Sequence, residues 1–315
     1  MAAVKALEVI FSGPLTTIQD RGRFGFGAYG VPPSGAVDSF SLRLGNRLLG
    51  NKEDDAGLEI TFAGPALTAL VNLAIAITGA DMQPHINGNP APMWCALVLR
   101  KGDRLSFKGI RSGFRAYLAL GGGINVEKVM GSRSTNLGAG FGGLSGRPLI
   151  KGDILYAHDR KRHLKTEGAA LSAQSIPVYT QSVELRVIFG PHHHHFDPEM
   201  LSLFQQTTYD VTEKLDRTGI RLKGTAIKEK TGLQTSIISE GVIPGAIQIP
   251  GDGQPIIILG ETVTGGYRKI ATVISADLHR LGQLRPKNTV RFLPVSLKEA
   301  QNALEEMEAV IRSIK

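Results

Sequence analysis

The sequence predicts a mainly β protein, and three observations support that prediction. The 315 residues include 38 glycines and 16 prolines, a content that favours short strands and turns over long helices. Short apolar or alternating segments bounded by glycine or proline recur along the chain, as they do in β proteins. Weak similarities between the two halves of the sequence indicate two related β domains, with chance similarity of glycine-rich turns as the alternative.

Four segments show the strand pattern most clearly. Residues 73–77 and 256–259 are continuous apolar runs, which are typical of strands buried on both faces. Residues 58–62 and 183–187 instead alternate apolar and polar side chains, which predicts strands with one buried and one exposed face.

A recurring turn motif predicts tight turns that lead into strands. Residues 101–103 and 151–153 both read Lys-Gly-Asp, and residues 286–288 form a looser copy, Pro-Lys-Asn. Glycine, aspartate and asparagine suit the left-handed backbone positions of such turns. The longer internal repeat pairs residues 20–25 with 216–221, because both combine an aspartate, an arginine and a glycine turn.

Helix signals are few. Asp38 is placed to cap an amphipathic segment that Gly50 ends, and Asp197 precedes a proline at a first helical position. Ser296 and Glu299 form a capping box at the start of the C-terminal helix. The predicted apolar stripe of that helix consists of Leu297, Ala300, Leu304, Met307, Ile311 and Ile314.

These elements predict two β domains. The first covers residues 1–165 and contains the glycine-rich segment 19–38, and the second covers residues 180–315 and ends in the C-terminal helix. The polar stretch 160–181 is the predicted linker between them.

Charge and composition narrow the classes of partner. The formal net charge is +8, but the basic residues are scattered and aromatic residues make up only 6%, so a nucleic-acid partner is not expected. A small anionic molecule or an acidic partner fits better. We expect no membrane partner and a cytoplasmic location, because no apolar run reaches the roughly 18 residues of a membrane span and no secretory signal is recognised. The single cysteine, Cys95, fits a reducing compartment and predicts an inert, buried thiol.

Several motifs that carry cofactors or nucleophiles are missing from the sequence. It has no Walker-type phosphate loop, no nucleophile elbow and no Met-Lys-Met biotinylation tripeptide. The four histidines at 192–195 could bind a metal, but no cysteine or suitably spaced acid accompanies them. An internal loop with partly exposed imidazoles is the preferred interpretation, and no metal site is predicted.

Residues 19–38, QDRGRFGFGAYGVPPSGAVD, form the strongest functional candidate. Arg21 and Arg23 can bind a carboxylate or phosphate through paired hydrogen bonds, and the glycines allow backbone amides to approach an anion. Ser34 and Asp38 add polar groups to the same stretch. On composition alone, an internal Arg–Asp network that pins two loops is an equally good explanation.

A second candidate lies between residues 239 and 267. Its polar side chains include the amides of Gln248 and Gln254, next to predicted strands. Such groups commonly line a pocket on the face of a barrel, and they are equally common as turn scaffolding.

The segment QDRGRFGFGAYGVPPSGAVDSFSLRLGNRLLGN, at residues 19–51, resembles the start of the second allophanate-hydrolase-type subunit family. This family includes the C subunit of 5-oxoprolinase and the Kip antagonist, and it is similar to the A–B half of the carboxyltransferase region of biotin-dependent urea carboxylase. The resemblance continues, in order, through residues 58–65, 77–82, 115–124, 131–153, 190–193, 215–222, 239–261, 264–267 and 274–286. It therefore covers essentially the whole chain.

The resemblance implies a fold, partners and an activity. The implied fold is two tandem cyclophilin-like β barrels. The implied partner is a first-subunit relative, similar to the B subunit of 5-oxoprolinase or to the Kip inhibitor, joined in the oxoprolinase version by a lactam-hydrolysing A subunit. In that version ATP, used through the complex, drives the opening of 5-oxoproline to glutamate. A biotin-dependent urea or amide carboxyltransferase half-module and a non-catalytic antagonist of a kinase inhibitor are the alternatives.

With the resemblance, a binding role for the 19–38 segment becomes the favoured interpretation, although no base or nucleophile is assigned. Arg21, Arg23 and Arg133 are expected to hold an anionic carboxylate or a phosphorylated intermediate. The polar side chains of Ser34, Asp38, Gln248 and Gln254 are expected to orient the amide of that ligand. The predicted substrate-binding residues are Arg21, Arg23, Ser34, Asp38, Arg133, Gln248 and Gln254.

Overall fold

The computed structural model describes residues 3–158, 168–234 and 236–314. These residues form two compact units: the first draws on 1–23, 34–179 and 309–315, and the second on 24–33 and 180–308. Two segments thus depart from the predicted domain ranges 1–165 and 180–315. Residues 24–33 belong to the second unit, and residues 309–315 belong to the first. Of the predicted linker, residues 160–167 lie outside the described residues, and residues 168–179 belong to the first unit.

Strands dominate the described residues, which confirms the predicted mainly β class. The strands of the first unit are β1 (Ala3–Phe11), β2 (Leu15–Gln19), β3 (Gly57–Thr61), β4 (Ala66–Ala69), β5 (Leu73–Asp81), β6 (Pro84–Ile86), β7 (Asn89–Pro90), β8 (Ala96–Leu99), β9 (Arg104–Phe107), β10 (Ser112–Leu120) and β11 (Ile154–His158). Those of the second unit are β12 (Ser182–Phe189), β13 (Tyr209–Leu215), β14 (Gly219–Lys223), β15 (Glu240–Gly241), β16 (Ala246–Ile249), β17 (Ile256–Ile258), β18 (Thr264–Gly265), β19 (Arg268–Val273) and β20 (Thr289–Pro294). The α-helices are α1 (Ser39–Leu48), α2 (Pro198–Gln206), α3 (Leu278–Leu281) and α4 (Leu297–Ser313).

In the first unit the strands form two sheets around one shared hydrophobic core. One sheet has six strands in the order β11-β1-β4-β9-β6-β7, and the other has five in the order β2-β3-β10-β5-β8. Leu7 and Leu67 of the first sheet and Ile75 and Leu118 of the second belong to the same buried cluster. Helix α1 packs against β5 and β10.

The second unit is a closed barrel with the strand order β12-β19-β16-β17-β14-β13-β20. The parallel pairing of β12 with β20 closes it, and β15 and β18 form a separate two-stranded sheet. Between Ile247 and Gln248 the register of β16 on β19 shifts, which is a β-bulge. Bulges re-aim side chains and are frequent beside functional sites, so this position is of special interest.

The strand predictions hold with one correction. β5 is buried along nearly all its length, and β12 alternates as predicted. β3, however, is buried at every position, so the prediction of an exposed face for residues 58–62 is wrong. The physical reason is that β3 lies between β2 and β10, and Glu59 finds polar partners on β10 that allow its burial.

The predicted turns are confirmed by their backbone geometry. Gly102 and Gly152 have φ values of 92° and 91°. In both turns the following aspartate accepts a backbone hydrogen bond from three residues earlier, at 2.7 Å for Asp103 and 2.8 Å for Asp153. In the looser copy Lys287 takes the left-handed position with φ 74°.

The helix signals are also confirmed. Asp38 caps α1, and Ser296 and Glu299 form the reciprocal bonds of a capping box at the start of α4. Leu297 is 65% exposed and so does not belong to the buried stripe of α4, because it lies in the first turn of the helix. None of the described helices is long and apolar enough to cross a membrane.

Candidate functional site

The carboxylate of Asp20, directly after β2, organises the start of the 19–38 segment. Its Oδ1 accepts hydrogen bonds from Ser132 Oγ and Ser134 Oγ, both at 2.6 Å. The Gly22 N–H donates to Oδ1 at 2.8 Å, and the Arg133 N–H donates to Oδ2 at 2.5 Å. Four donors therefore fix this buried acid, which joins two loops that are far apart in the chain.

Arg23 is buried, with 2% of its surface exposed, and its contacts are to protein groups. Its Nη2 donates to Ser134 O, and its guanidinium carbon lies 4.6 Å from the centre of the Phe141 ring, a cation–π contact. A Cβ at Gly142 would clash with Ser134 O and lie 2.9 Å from Arg23 Nη2, so only glycine permits this approach. The structure thus gives Arg23 an anchoring role.

Ser34 and Asp38, near the end of the segment, are held in the same way. Ser34 Oγ accepts a hydrogen bond from Asn136 Nδ2 at 3.1 Å. The Asp38 carboxylate accepts from the Ser41 N–H at 2.9 Å and from the Ser41 hydroxyl at 2.6 Å, which caps α1. Both residues therefore support the shape of the segment.

A buried network that the sequence pattern did not indicate fixes the residue before α1. Glu59 Oε2 accepts hydrogen bonds from the Tyr117 hydroxyl at 2.7 Å and from the Val37 N–H at 2.8 Å. The same hydroxyl accepts from the Asp38 N–H at 2.8 Å, and Arg115 Nε lies 3.8 Å from Glu59 Oε1. Burial, then the charges of Glu59 and Asp38, raise the pKa of Tyr117 well above its usual value, so its hydroxyl stays a donor.

Two predicted arginines adjoin Asp20 and differ in exposure. Arg21 is exposed at the turn, whereas Arg133 is half-buried and donates from Nε to Val126 O at 3.1 Å. Arg21 is therefore the predicted cation of this segment that is open to solvent, and Arg133 connects the segment to its neighbouring loop.

In the second unit a bulge in β19, where Ile270 is the extra residue, pairs Gln248 of β16 with Lys269. Lys269 Nζ forms an ion pair with Glu240 and donates to Gly241 O at 3.2 Å. His192 Nε2 lies 3.2 Å from Glu240 Oε1. We call Gln248, Lys269, Glu240 and His192 the Lys269 cluster.

The proton positions in the Lys269 cluster follow from its hydrogen bonds. The Lys269 N–H donates to His192 Nδ1 at 3.1 Å, so the proton of the neutral ring is on Nε2, where it donates to Glu240. Burial lowers the pKa of His192, against the opposing effect of Glu240. The hydrogen bond from Lys269 lowers the pKa of Glu240, so this carboxylate, 44% exposed, is ionised at neutral pH.

A second set of charged groups surrounds Arg268, the residue before Lys269. Its Nε donates to His195 Nδ1 at 3.0 Å, and its Nη1 contacts Glu229 and the backbone oxygen of Gln234. Burial lowers the pKa of His195 and raises that of Glu229. Titratable groups with shifted pKa values concentrate at functional sites, so this part of the barrel is the leading candidate for chemistry.

A cavity of about 470 Å³ adjoins the bulge, and Gln248 is part of its wall. Its polar lining consists of Glu213, Lys214, Asp216, Thr218, Arg221, Gln248, Thr262, Thr264 and Tyr267. Gln248 is 3% exposed and donates to Tyr267 O at 3.0 Å. Gln248 is the member of the Lys269 cluster that lines this cavity, and Glu240 pairs with Gly265 of the cavity wall. We call it the barrel cavity.

Gln254 lies apart from the lining of the barrel cavity. Its side chain accepts from the Gly224 N–H at 2.8 Å and donates to Gly224 O at 3.1 Å. Both amide atoms are therefore used to hold a neighbouring turn, which is the scaffolding interpretation of this residue.

Lys269 and His192 could not be identified as a pair from sequence. The only signal was that His192 and Glu240 each lie in a segment rich in polar residues. No sequence pattern indicates the bulge that pairs Lys269 with Gln248.

The four histidines at 192–195 form a short 3₁₀ turn over His193–His195. His193 bonds to Gly190 O at 2.8 Å, and the rings of His192 and His195 stack at 5.8 Å. Within the described ranges there is no group of three or more His, Cys, Asp or Glu side chains that could hold a metal ion. Elsewhere, burial raises the pKa of the Cys95 thiol, which reduces its reactive thiolate fraction.

We expect the second unit to lose stability as the pH falls from about 7.5 to 5.5. The folded-state pKa values of His192 and His195 lie below the 6.5 of an unperturbed histidine. Their stabilising contribution is therefore complete above that value and is lost as the pH falls through the folded pKa values. In the folded protein Nδ1 of His192 accepts a hydrogen bond from the Lys269 N–H, and Nδ1 of His195 accepts one from Arg268 Nε. A protonated Nδ1 cannot accept, so protonation breaks each of these bonds.

Thermal melting at a series of pH values measures this effect. The double variant His192→Asn/His195→Asn keeps a hydrogen-bond acceptor near each Nδ1 position but cannot titrate, so its melting temperature should fall less between pH 7.5 and 5.5. Equal decreases in the variant and the parent protein would show that these histidines do not cause the acid sensitivity.

The sequence matches the family described as carboxyltransferase domain, subdomain A and B, over residues 29–294. It is 35% identical to the C subunit of 5-oxoprolinase from Escherichia coli strain K12, and the alignment covers 96% of this chain and 95% of that protein. It is 32% identical to urea amidolyase of Saccharomyces cerevisiae, with 98% of this chain but 18% of that protein covered.

Solved structures give the same picture. The urea amidolyase of K. lactis superposes with a TM-score of 0.93 at 31% identity, covering 100% of this chain and 20% of that one. The protein TTHA0988 superposes with a TM-score of 0.81 at 32% identity, covering 92% of this chain and 55% of that one. The chain thus spans nearly the whole length of the E. coli protein and about a fifth of urea amidolyase.

Proposed function

Because the chain belongs to the carboxyltransferase family of subdomains A and B, we propose that it acts as one subunit of an ATP-dependent 5-oxoprolinase. The observation that carries this proposal is the end-to-end match to a separate protein, the C subunit of 5-oxoprolinase. A second C subunit, from Haemophilus influenzae, is also covered over 94% of its length at 32% identity. The name of these relatives implies a complex with other subunits.

The proposed roles leave nucleotide chemistry to the complex. This sequence has no Walker-type loop, so ATP would be used together with a relative of the B subunit and a lactam-hydrolysing A subunit. The contribution of this chain would be to bind and orient the substrate or an intermediate derived from it.

The barrel cavity offers the groups that a lactam carboxylate needs. 5-Oxoproline carries one carboxylate and one ring amide, so a site for it requires a cation and a group that hydrogen-bonds an amide. Lys214 and Arg221 supply positive charge beside the acids Glu213 and Asp216, and Gln248 supplies an amide. The volume of about 470 Å³ lies within the range of about 300–1,000 Å³ that is common for ligand pockets.

The Lys269 cluster is the proposed electrostatic part of this site. When a lactam is hydrolysed, water adds to the carbonyl carbon and negative charge develops on the carbonyl oxygen; the carbon–nitrogen bond then breaks and the nitrogen gains a proton. Lys269 is 8% exposed and is paired with Gln248 across β16 and β19, and a buried ammonium can stabilise such charge in a region of low dielectric. Glu240 holds that ammonium by an ion pair, and the neutral His192 donates to the same carboxylate.

The Asp20 region of the first unit is proposed as an anion-binding surface. Arg21 is its exposed cation, and Arg133 adjoins the same carboxylate. A carboxylate or a phosphorylated intermediate would be the ligand. In this proposal Arg23, Ser34 and Asp38 fix the segment that carries Arg21.

One observation favours a second function. The superposition on urea amidolyase has the TM-score of 0.93, higher than the 0.81 of TTHA0988. The second candidate is therefore a half-module of a urea or amide carboxyltransferase. It would require a biotinylated carrier and bicarbonate, and this chain has no Met-Lys-Met tripeptide to carry biotin.

An add-back assay tests the proposed function. The subunits encoded beside this chain are purified with and without it, and glutamate release from 5-oxoproline and ATP is measured. We expect glutamate formation to fall to background without the chain and to return when it is added. Tight binding of the chain to a partner without any effect on turnover would instead support a non-catalytic antagonist.

A further inference from the structure

The first unit contains a second cavity, of about 560 Å³, which shares no residue with the sites described above. It lies at the end of β5 and beside β6, and the segments around Trp94 and Pro177 close it. We propose that this cavity, here the Trp94 cavity, binds a small monocarboxylate with an apolar body.

The apolar part of the proposed ligand would lie against Trp94, the single tryptophan of the chain. Met93, Ile176 and Pro177 add further apolar surface to the same cavity. An apolar wall with a few polar groups is the usual composition of a small-molecule site.

Trp94 is held in a backbone conformation that bulky residues seldom adopt. Its φ is 59°, in the left-handed region. The backbone N–H of Trp94 donates to Ile77 O at 2.8 Å, and its backbone carbonyl accepts from the Leu171 N–H at 2.9 Å, so the backbone is fixed on both sides of the residue. Backbone strain of this kind is concentrated at binding sites, and here it keeps an indole at a cavity wall.

The charges of the lining favour an anion. Lys108 and Arg111 are the cations, and Asp81 is the acid. Arg111 Nη1 lies 3.1 Å from Asp81 Oδ2, so this pair is neutral and Lys108 leaves the cavity with one net positive charge. The Arg111 side chain is 69% exposed, which leaves other N–H groups of its guanidinium accessible to a ligand.

His85 provides a fixed polar group in the same lining. It is 6% exposed, and its Nδ1 lies 2.8 Å from Gln83 O. Because a carbonyl oxygen can only accept, Nδ1 carries the proton and the ring orientation is set. Gln83 is itself in the left-handed region, with φ 52°, so two strained residues contribute to one cavity.

These features together select the ligand class. A neutral apolar molecule would leave the charge of Lys108 unused, and a dianion would need more positive charge than the lining has. A single carboxylate near Lys108 and Arg111, with an apolar body against Trp94, satisfies both parts of the cavity.

The fluorescence of Trp94 reports directly on this cavity, since the chain has one tryptophan. The isolated full chain is titrated with benzoate and, separately, with benzamide, which has the same ring and no charge. We expect benzoate to change the fluorescence saturably and benzamide to bind about tenfold more weakly, as expected for the loss of a charge-assisted contact.

Charge-removing variants give the second readout. Lys108→Gln and Arg111→Gln should each weaken benzoate binding, whereas Lys151→Gln, which alters an exposed lysine of a turn in the same unit, should leave it unchanged. Benzoate that fails to bind, that binds no better than benzamide, or that binds all three variants equally would overturn the proposal. Melting curves of each variant show whether a loss of binding is a loss of fold.

Discussion

Replacement of Lys269 with methionine is expected to slow ATP-coupled glutamate formation by the reconstituted complex about 100-fold. Methionine keeps most of the side-chain volume but removes the ammonium that pairs with Glu240. The fold should survive, because the partner carboxylate of Glu240 is 44% exposed and can be hydrated. The measurement is the steady-state rate at saturating 5-oxoproline and ATP.

The same variant has a second signature, in the pH dependence of the rate. The hydrogen bond from Lys269 is the largest cause that lowers the pKa of Glu240. Without it that pKa rises, so the acidic limb of the pH–rate profile should move to higher pH. Lys223→Met, at an exposed position of β14, is the matched control and should retain full activity. A Lys269→Met complex within threefold of the parent rate would refute the role of this residue.

Replacement of Arg217 with methionine is expected to lower the free energy of unfolding by about 3–5 kcal/mol. Arg217 Nε lies 2.6 Å from Glu261 Oε1, and the two side chains are 4% and 7% exposed. Loss of the guanidinium leaves a buried carboxylate without this partner in low dielectric, which costs more than the ion pair itself contributes. Chemical denaturation at neutral pH measures the difference.

A second substitution separates charge from packing at this site. The double variant Arg217→Met/Glu261→Gln removes both charges and should recover a large part of the lost stability. Arg291→Met, at an exposed position of β20, should change the stability little. A single variant within about 1 kcal/mol of the parent protein would mean that the buried pair is not a main determinant of stability.

The local structure of this protein is well encoded in its sequence, because each element depends on neighbours along the chain. The capping box of Ser296 and Glu299, the cap at Asp38 and the Gly102 and Gly152 turns all follow from residues within a few positions. Periodicity likewise identified β5, whose burial on both faces shows as an unbroken apolar run.

Prediction fails where burial depends on partners that are distant in sequence. Glu59 resembles an exposed strand residue, yet it is 1% exposed because the Tyr117 hydroxyl, 58 residues away, binds it. The presence of an arginine in the sequence also does not show whether its side chain binds a ligand or stabilises the fold. Arg23 turns out to be buried against Ser134 and Phe141, whereas its neighbour Arg21 is exposed.

Only part of the candidate site could be predicted from the sequence, because its other members are brought together by contacts between distant segments. Gln248 was identified because a polar amide stands out beside apolar strand residues. Its pairing with Lys269 depends on a register shift between two strands. Lys269 and His192 are joined by a backbone hydrogen bond between distant segments, and both contact Glu240 from a third segment. Such contacts arise from tertiary structure and not from local pattern.

The two proposed functions differ in the substrate with which this chain should stimulate ATP hydrolysis. ATP hydrolysis by the reconstituted complex is measured before and after addition of the chain, once with 5-oxoproline and once with urea, bicarbonate and a biotinylated carrier. We predict that addition of the chain stimulates ATP hydrolysis with 5-oxoproline and releases glutamate. Stimulation with urea and the carrier alone would refute the 5-oxoprolinase proposal and assign the chain to carboxyl transfer.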